Sequence, residues 1–342
     1  MADSADAIDD SWRIMAGKFR RYHGISKWIY LKDPRIMLRN FRDFFYFIIG
    51  FLQSVWLLVW WRPDVLFVKG GFVGLPVGLA AAVLHIPVVT HDSDTVPGLT
   101  NRILSRHARF MAVAMPPEHY RYPKERMRYT GLPIRPEFVP VTPKIKRTAR
   151  QKLGIPESAF VVAVFGGSLG AVRLNNAIIS ISAEFLTADE NRWLLHQTGS
   201  FQKEEIDQFY DEFDEATRSR VKTWSFLEDM HSVTAAADIV VSRAGSSVHE
   251  FGAQQKAVIL VPNPILTGGH QTVNAAVLAK HQAAVVVTER ELTESRNEQL
   301  LTAINALSKD TPRRVALGQA LAELVVPNAA AKIVAVLEEA VQ

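Results

Sequence analysis

The sequence predicts an α/β protein with two domains, each built around a parallel β-sheet. Its 342 residues suit two domains better than one, because a domain commonly spans about 100–200 residues. Short β-branched runs alternate with helical stretches along most of the chain, which is typical of βαβ units. A proline-dense stretch at 132–144 interrupts the alternation and marks the predicted boundary between the domains.

Four strands are predicted in the front half, at 65–68, 86–92, 109–115 and 126–132, with helices at 75–85 and 99–108. Six more strands follow, at 159–167, 193–199, 221–227, 238–245, 257–264 and 283–289. A helix is predicted from about 171 to 185, and the tail 313–341 is helical with a break at Pro327. The predicted domains are therefore 1–140 and 141–325, followed by a C-terminal helix at 326–342 that packs back on the first domain.

Composition excludes several classes of protein. Apolar residues make up 48% and charged residues 22% of the chain, which indicates a folded globular protein rather than a disordered one. The chain has no cysteine, so disulfides, thiolate metal sites and cysteine nucleophiles are excluded. Residues 1–150 contain 23 basic and 12 acidic residues, which indicates an anionic partner. Residues 151–342 contain 16 basic and 23 acidic residues, which argues against a protein that coats nucleic acid.

An apolar run, Phe44–Trp61, follows a segment with nine basic residues and one acidic residue between Arg13 and Arg42. Three interpretations are open: a membrane-spanning helix, a buried core helix, or an interfacial helix beside anionic headgroups. Aromatic side chains prefer the interface to the centre of a bilayer. We therefore expect residues 13–61 to dock on an anionic membrane surface, with the core helix as the alternative.

A glycine-rich turn, Gly-Gly-Ser-Leu-Gly-Ala at 166–171, lies between a predicted strand and a predicted helix. Glycine lets the backbone approach a ligand closely, and the start of the helix supplies free N–H groups and a positive dipole end. This pattern suits a phosphate or a diphosphate. A tight turn that needs glycine for its own geometry is the alternative.

Two polar motifs follow other strand ends in the rear half, at 242–250 and 262–275. Glu250 is expected about two turns into a helix, where its carboxylate could accept hydrogen bonds from two sugar hydroxyls, unless it is a solvated surface acid. Gln271 and Asn274 are three residues apart and so share a helix face, and their amides suit sugar hydroxyls. His270 is either part of this polar cluster or a plain helix-start residue.

Three motifs of the front half also follow predicted strands, at 69–76, 90–94 and 130–135. Ligands of open α/β sheets bind beyond the carboxyl ends of the strands, so these motifs are expected to line a ligand cleft. Arg135 is expected to reach a phosphate and neutralise it. Asp92 and Asp94 are a weak metal signature, and no metal ion is expected.

Taken in order, the motifs resemble those of the family-28 glycosyltransferases of the MurG type, which have the GT-B fold. The matching segments are GGFVGLP, GLPIR, GGSLGA, FLEDM, SRAG with the following glutamate, and HQTVNA. The resemblance runs from about Arg13 to the end of the chain. It implies two Rossmann-like domains facing across a cleft, and a peripheral enzyme on the cytoplasmic face of the membrane.

The resemblance also implies the reaction. Members of this family transfer GlcNAc from UDP-GlcNAc to the polyprenyl-pyrophosphate-linked MurNAc-pentapeptide, lipid I, in peptidoglycan synthesis. The anomeric configuration inverts, and neither a metal nor another cofactor is required. A non-catalytic nucleotide-sugar binder or partner subunit, and a related transferase with another lipid acceptor, are the alternatives.

Carried over by position, the resemblance assigns roles to the motifs. The diphosphate is bound by the glycine turn with the help of Arg135, the uracil by the backbone of Leu227, and the ribose by Glu250. Gln271, with His270, contacts the GlcNAc hydroxyls. The substrate-binding residues expected in total are Gly70, Gly71, Arg135, Gly167, Ser168, Leu169, Gly170, Leu227, Glu250, His270, Gln271 and Asn274.

Three features depart from the family pattern. The family's N-terminal strand and its GGTGGH-like loop, which carries the histidine proposed as the catalytic base, are not in this sequence. A misassigned start codon, a strand supplied by a separate chain, or a degenerate binder would each explain this, and we expect the first. Glu250 comes one residue sooner than in the family, and residues 91–94, His-Asp-Ser-Asp, stand at the HEQN-like position. His91 is the fallback candidate for the base, with a structural histidine as the alternative.

Overall fold

A computed structural model describes residues 9–17, 34–167, 170–265 and 269–342, with the backbone alone for 34–36. The chain divides into two compact units. Unit 1 comprises the described residues of 1–93, 97–130 and 330–342, and unit 2 comprises those of 94–96 and 131–329. The proline-dense stretch at 132–144 therefore lies in unit 2.

Unit 1 is built on a parallel sheet of four strands in the order β1-β2-β3-β4. Its strands are β1 (Leu66–Val68), β2 (Val88–Asp92), β3 (Phe110–Val113) and β4 (Met127–Tyr129). Its first helices are α1 (Pro34–Trp61), α2 (Gly71–Val83) and α3 (Leu99–Leu104). All residues of β2 and β3 are buried, as expected for strands of a parallel sheet; β3 is continuously apolar, whereas β2 ends in the buried polar residues Thr90, His91 and Asp92.

One face of α1 packs against the core of unit 1. The packed side chains on this face are Phe47, Phe51, Val55 and Leu58. Residues 9–17 also lie along α1, since the backbone N–H of Met15 donates to Gln53 Oε1 at 2.9 Å and the rings of Trp12 and Trp61 lie 5.2 Å apart. The stretch Met37–Trp61 is long and apolar enough to cross a membrane.

The other face of α1 is exposed, and we call it the exposed α1 face. Its largest side chains are Leu38, Phe41, Phe44, Phe45, Leu52, Trp56 and Trp60. The rings of Trp56 and Trp60 are stacked, with their centroids 6.3 Å apart. Because most of this apolar helix is exposed in the described structure, α1 is not a buried core helix. The interfacial and spanning interpretations remain.

Unit 2 is built on a parallel sheet of six strands in the order β10-β9-β8-β5-β6-β7. Its strands are β5 (Phe160–Phe165), β6 (Arg192–Gln197), β7 (Val221–Trp224), β8 (Ile239–Ser242), β9 (Ala257–Leu260) and β10 (Val285–Val286). The chain adds β6 and β7 on one side of β5, then returns to add β8 to β10 on the other side. The boundary between β5 and β8 is therefore a topological switch point, where open α/β sheets bind their ligands.

The helices of unit 2 are α4 (Pro143–Lys152), α5 (Val172–Thr187), α6 (Lys203–Asp211), α7 (Glu215–Arg218), α8 (Met230–Ala236), α9 (Ser247–Ala253), α10 (His270–Lys280), α11 (Glu289–Glu294), α12 (Glu298–Lys309) and α13 (Thr311–Glu323). The start of α4 lies inside the predicted proline-rich linker. Pro143 is tolerated there because the first helical position needs no N–H donor, and the Thr142 hydroxyl caps the helix.

The chain ends in α14 (Ala329–Val341), and its residues from 330 onward belong to unit 1. Val336 and Ala340 pack with Val89 and Phe110 of the first sheet. The guanidinium of Arg109 also donates to the carbonyl oxygen of Ala340 at 2.9 Å. The C-terminal helix thus covers part of the sheet of unit 1.

Candidate functional site

A cavity of about 520 Å³ lies at the switch point of unit 2, and we call it the switch-point cavity. It is lined by the glycine turn after β5, by 242–243 and 245–247 after β8, by Asn263 and Gln271 after β9, and by Glu289 after β10. The carboxyl ends of four adjacent parallel strands therefore contribute to a single cavity. The structure brings together three motifs that lie far apart in the sequence.

The glycine turn forms one wall of this cavity. Gly167 and Gly170 have φ angles of 87° and 79°, and the N–H of Gly170 donates to the Gly167 carbonyl oxygen at 2.9 Å. A Cβ at Gly170 would overlap the carbonyl oxygen of Thr198. Helix α5 follows Ala171, whose side chain cannot cap the first N–H groups, so these remain available to an anion. Ser168 and Leu169 lie outside the described residues.

The serines after β8 form a second wall. Ser242 donates its hydroxyl hydrogen to the Phe165 carbonyl oxygen at 3.1 Å, which ties the end of β8 to the end of β5. Ser246 occupies the N-cap position of α9, but within the described structure its hydroxyl makes no capping bond. Ser246 and Ser247 both line the cavity. Their hydroxyls are thus placed to meet a ligand.

Glu250 lies in the first turn of α9, because this helix begins at Ser247; the prediction of two turns is wrong. Its side chain is 18% exposed, and its Oε1 lies 3.8 Å from Nε of Arg135. Burial raises the pKa of Glu250 above its usual value, and the positive charge of Arg135 partly opposes this effect.

The guanidinium of Arg135 contacts residues other than those of the glycine turn. Its Nη1 donates to the carbonyl oxygen of Glu228 at 3.0 Å, and its guanidinium lies 5.1 Å from the ring centroid of Phe138. Arg135 is outside the described lining of the cavity. Leu227 precedes Glu228 in the loop between β7 and α8, and it is half-buried and also outside that lining.

The polar residues of α10 separate into two roles. Gln271 lines the cavity, and its Oε1 accepts a hydrogen bond from the N–H of Asn263 at 2.9 Å. Asn274 is buried, accepts from the N–H of Thr95 at 2.9 Å, and donates to Asp94 Oδ1 at 2.8 Å. Asn274 therefore holds residues 94–96 in unit 2. His270 is the first residue of α10 and is half-buried.

The candidate residues of the front half lie in unit 1. Gly70 precedes α2 and Gly71 is its first residue, with φ angles of 98° and 79°. His91 is in β2 and its side chain is fully buried, which favours a structural histidine over a base that meets a substrate hydroxyl. The carboxylate of Asp92 accepts hydrogen bonds from Asn101 at 2.9 Å and from Tyr122 at 2.8 Å.

Sequence reasoning missed three charged residues of the cavity. Nη1 of Arg173 donates to Glu289 Oε2 at 2.9 Å, and Nη1 of Arg243 lies 2.7 Å from Glu289 Oε1. A signal for Arg173 was available. It is the second residue of a helix, where a positive charge is unfavourable unless an anion lies beside it.

Comparisons with known proteins agree with this architecture. The model of the glycosyltransferase family 28 C-terminal domain matches residues 161–332, and that of the family 28 N-terminal domain matches residues 27–113. The structure of S. aureus MnaA with UDP is similar to this chain in fold only. The TM-score is 0.60 at 12% identity, over 83% of this chain and 78% of that one.

Relatives and one more solved structure are similar over most of their length. The UDP-N-acetylglucosamine--N-acetylmuramyl-(pentapeptide) pyrophosphoryl-undecaprenol N-acetylglucosamine transferase of Desulforudis audaxviator is 37% identical over 301 residues, 85% of this chain and 77% of the relative. The Bacillus subtilis protein of the same name is 30% identical over 308 residues, covering 89% and 82%. The crystal structure of MurG from Acinetobacter baumannii matches with a TM-score of 0.67 and 26% identity over 86% and 79%. The chain therefore belongs to the family 28 glycosyltransferases.

Proposed function

We propose that this chain transfers GlcNAc from UDP-GlcNAc to a polyprenyl-pyrophosphate-linked MurNAc-pentapeptide, with inversion at the anomeric carbon. The observation that carries the proposal is the switch-point cavity, in which a glycine turn and the start of α5 offer N–H groups to an anion. The two relatives named for this activity align with 85% and 89% of this chain.

In the proposed complex the diphosphate lies on the glycine turn and the first turn of α5. Gln271 lies across the same cavity, where its amide would meet hydroxyls of the transferred sugar. Glu250, with Arg135 beside it, would accept hydrogen bonds from the ribose hydroxyls. Transfer also needs a base for the acceptor hydroxyl, and we assign that role to no residue of this chain.

The first experiment measures binding of UDP and UDP-GlcNAc to the full chain by calorimetry. Transfer of radiolabelled GlcNAc to lipid I follows, in EDTA, with diacylglycerol as the control acceptor. We expect binding, and transfer to lipid I that persists in EDTA. Loss of transfer in EDTA would contradict the expectation that no metal is needed. No heat with either nucleotide would refute the proposed function, whereas binding without transfer to either lipid would favour a nucleotide-sugar binder.

We further propose that the exposed α1 face docks on an anionic membrane surface at the cytoplasmic face of the cell membrane. Its aromatic side chains are the type that prefers the interface between lipid and water. Arg39 and Arg42 lie on the same helix and are exposed, so their charges are available to anionic headgroups. The opposite face of α1 is packed on α2, which favours one-sided docking over a span surrounded by lipid.

Replacing Trp56 and Trp60 together with glutamate is expected to release the protein from vesicles containing phosphatidylglycerol. Each substitution removes about 1.5–3 kcal/mol of favourable free energy that comes from burying an apolar side chain in the membrane. Each new negative charge is also repelled by the anionic lipid. The bound fraction in a flotation assay should fall by about tenfold or more. Phe201→Glu is the matched control, because Phe201 is an exposed aromatic residue of unit 2.

Extraction of the wild-type protein from vesicles distinguishes interfacial docking of α1 from a membrane-spanning α1. A docked protein leaves the vesicles in alkaline carbonate, whereas a spanning helix stays with them. Equal flotation of the double variant and the wild type would contradict docking through this face.

A further inference from the structure

The wall of the switch-point cavity contains a buried carboxylate held between two arginines. The side chain of Glu289 is 3% exposed, and its two oxygens meet Arg173 and Arg243 separately. The three side chains together carry one negative and two positive charges. The group therefore has a net positive charge beside the cavity.

The two arginines differ in how firmly they are held. The side chain of Arg243 is 11% exposed, and its Nη1 also donates to the carbonyl oxygen of Val261 at 2.9 Å. Arg243 is therefore part of the interior and keeps Glu289 in place. The side chain of Arg173 is 60% exposed, and Glu289 is its hydrogen-bonding partner among the described residues. Since a guanidinium has five N–H donors, most of those of Arg173 remain available.

The position of Arg173 points to an anion. It is the second residue of α5, three residues after Gly170, and both residues line the cavity. A positive charge at this end of a helix is opposed by the helix dipole, and Glu289, which Arg173 shares with Arg243, offsets only part of that cost. A bound anion would contact the N–H groups of the turn and the guanidinium together, which offsets the rest.

We propose that Arg173 binds the diphosphate of the donor and stabilises the charge that develops on the departing UDP. This inference rests on the proposed function. When the bond between the anomeric carbon and the β-phosphate oxygen breaks, its electron pair stays on that oxygen. The acceptor oxygen forms the new bond and gives its proton to a base. Arg173 donates hydrogen bonds to the phosphate oxygens, while Glu289 and Arg243 hold its guanidinium in place.

The test is a set of calorimetric titrations of the full chain with uridine, UMP and UDP. Arg173→Gln should weaken UDP binding about 10- to 100-fold, because charge-assisted hydrogen bonds to phosphate are lost. Its affinity for uridine should stay within about twofold of the wild type, since uridine has no phosphate. In transfer assays, kcat of this variant should fall as well, because the lost contact strengthens in the transition state.

Arg290→Gln is the matched control. Arg290 follows Glu289 on α11, is 83% exposed and pairs with Glu294, outside the cavity lining. We expect all three affinities to be unchanged in this variant. Thermal unfolding of both variants verifies that each is folded before it is titrated.

Two results would overturn the inference alone: wild-type affinity of Arg173→Gln for UDP, or an equal loss of affinity for uridine and UDP. Failure of the wild-type chain to bind UDP would overturn the proposed function and this inference with it. The two failures are therefore distinguishable by the wild-type titration.

Discussion

Gly170→Ala is expected to reduce UDP affinity more than 100-fold, to below detection in a standard calorimetric titration. The new Cβ would overlap the Thr198 carbonyl oxygen, so the turn or the end of β6 must move. That carbonyl also accepts a hydrogen bond from Asn175 of α5 at 2.7 Å, which couples any shift to the start of the helix. The N–H groups that meet the diphosphate would lose their arrangement.

The control for this prediction is Gly154→Ala. Gly154 has a φ of 64° and open space around its Cβ position, so alanine there meets backbone strain of about 1 kcal/mol without an overlap. It lies outside the cavity lining, and UDP affinity should be unchanged. If the Gly170 variant is folded by thermal unfolding and still binds UDP like the wild type, the glycine turn does not hold the diphosphate.

Asp238→Ala is expected to lower the free energy of unfolding by about 3–5 kcal/mol, because it leaves a buried arginine without its counter-ion. The carboxylate of Asp238 accepts hydrogen bonds from Lys146 at 2.5 Å, from Arg150 at 2.8 Å and from the N–H of Val161 at 2.8 Å. The side chain of Arg150 is buried. Urea unfolding of the variant measures the loss.

Asp211→Ala is the matched surface variant for this comparison. Asp211 pairs with Arg218, but its side chain is mostly exposed, and surface ion pairs contribute about 0–1 kcal/mol. A loss for Asp238→Ala no greater than that for Asp211→Ala would show that the buried cluster contributes little to the stability of unit 2.

The inner strands were predictable from the sequence because they are buried, as β3, β8 and β9 are along their whole length, whereas β4 and β10 are only partly buried. Each of the ten described strands overlaps a predicted strand. The predicted runs are longer, since they continue into the turns where the ligand-facing residues lie. Gly166 and Gly167, for example, follow the last residue of β5, and their identity marks the turn rather than the strand.

The site was predictable only in part, because its decisive contacts join residues that are distant in the chain. Arg173 and Glu289 are 116 residues apart, and Asn274 and Asp94 are 180 apart. Local patterns indicated that Asn274 faces sugar hydroxyls and that Arg135 reaches a phosphate. In the structure the amide of Asn274 is hydrogen-bonded to Asp94 and Thr95, and Arg135 lies beside Glu250. The position of Arg173 at a helix start indicates that an anion lies near it, but no local pattern identifies Glu289 as that partner.

The division into units also constrains how the chain can be dissected. The polypeptide passes between the units four times, near residues 93, 96, 130 and 329. No single scission therefore yields two intact halves. A fragment covering 131–329 would leave the amide of Asn274 without Asp94 and Thr95. A fragment ending at 130 would lack Val336 and Ala340, which pack on Val89 and Phe110 of the first sheet.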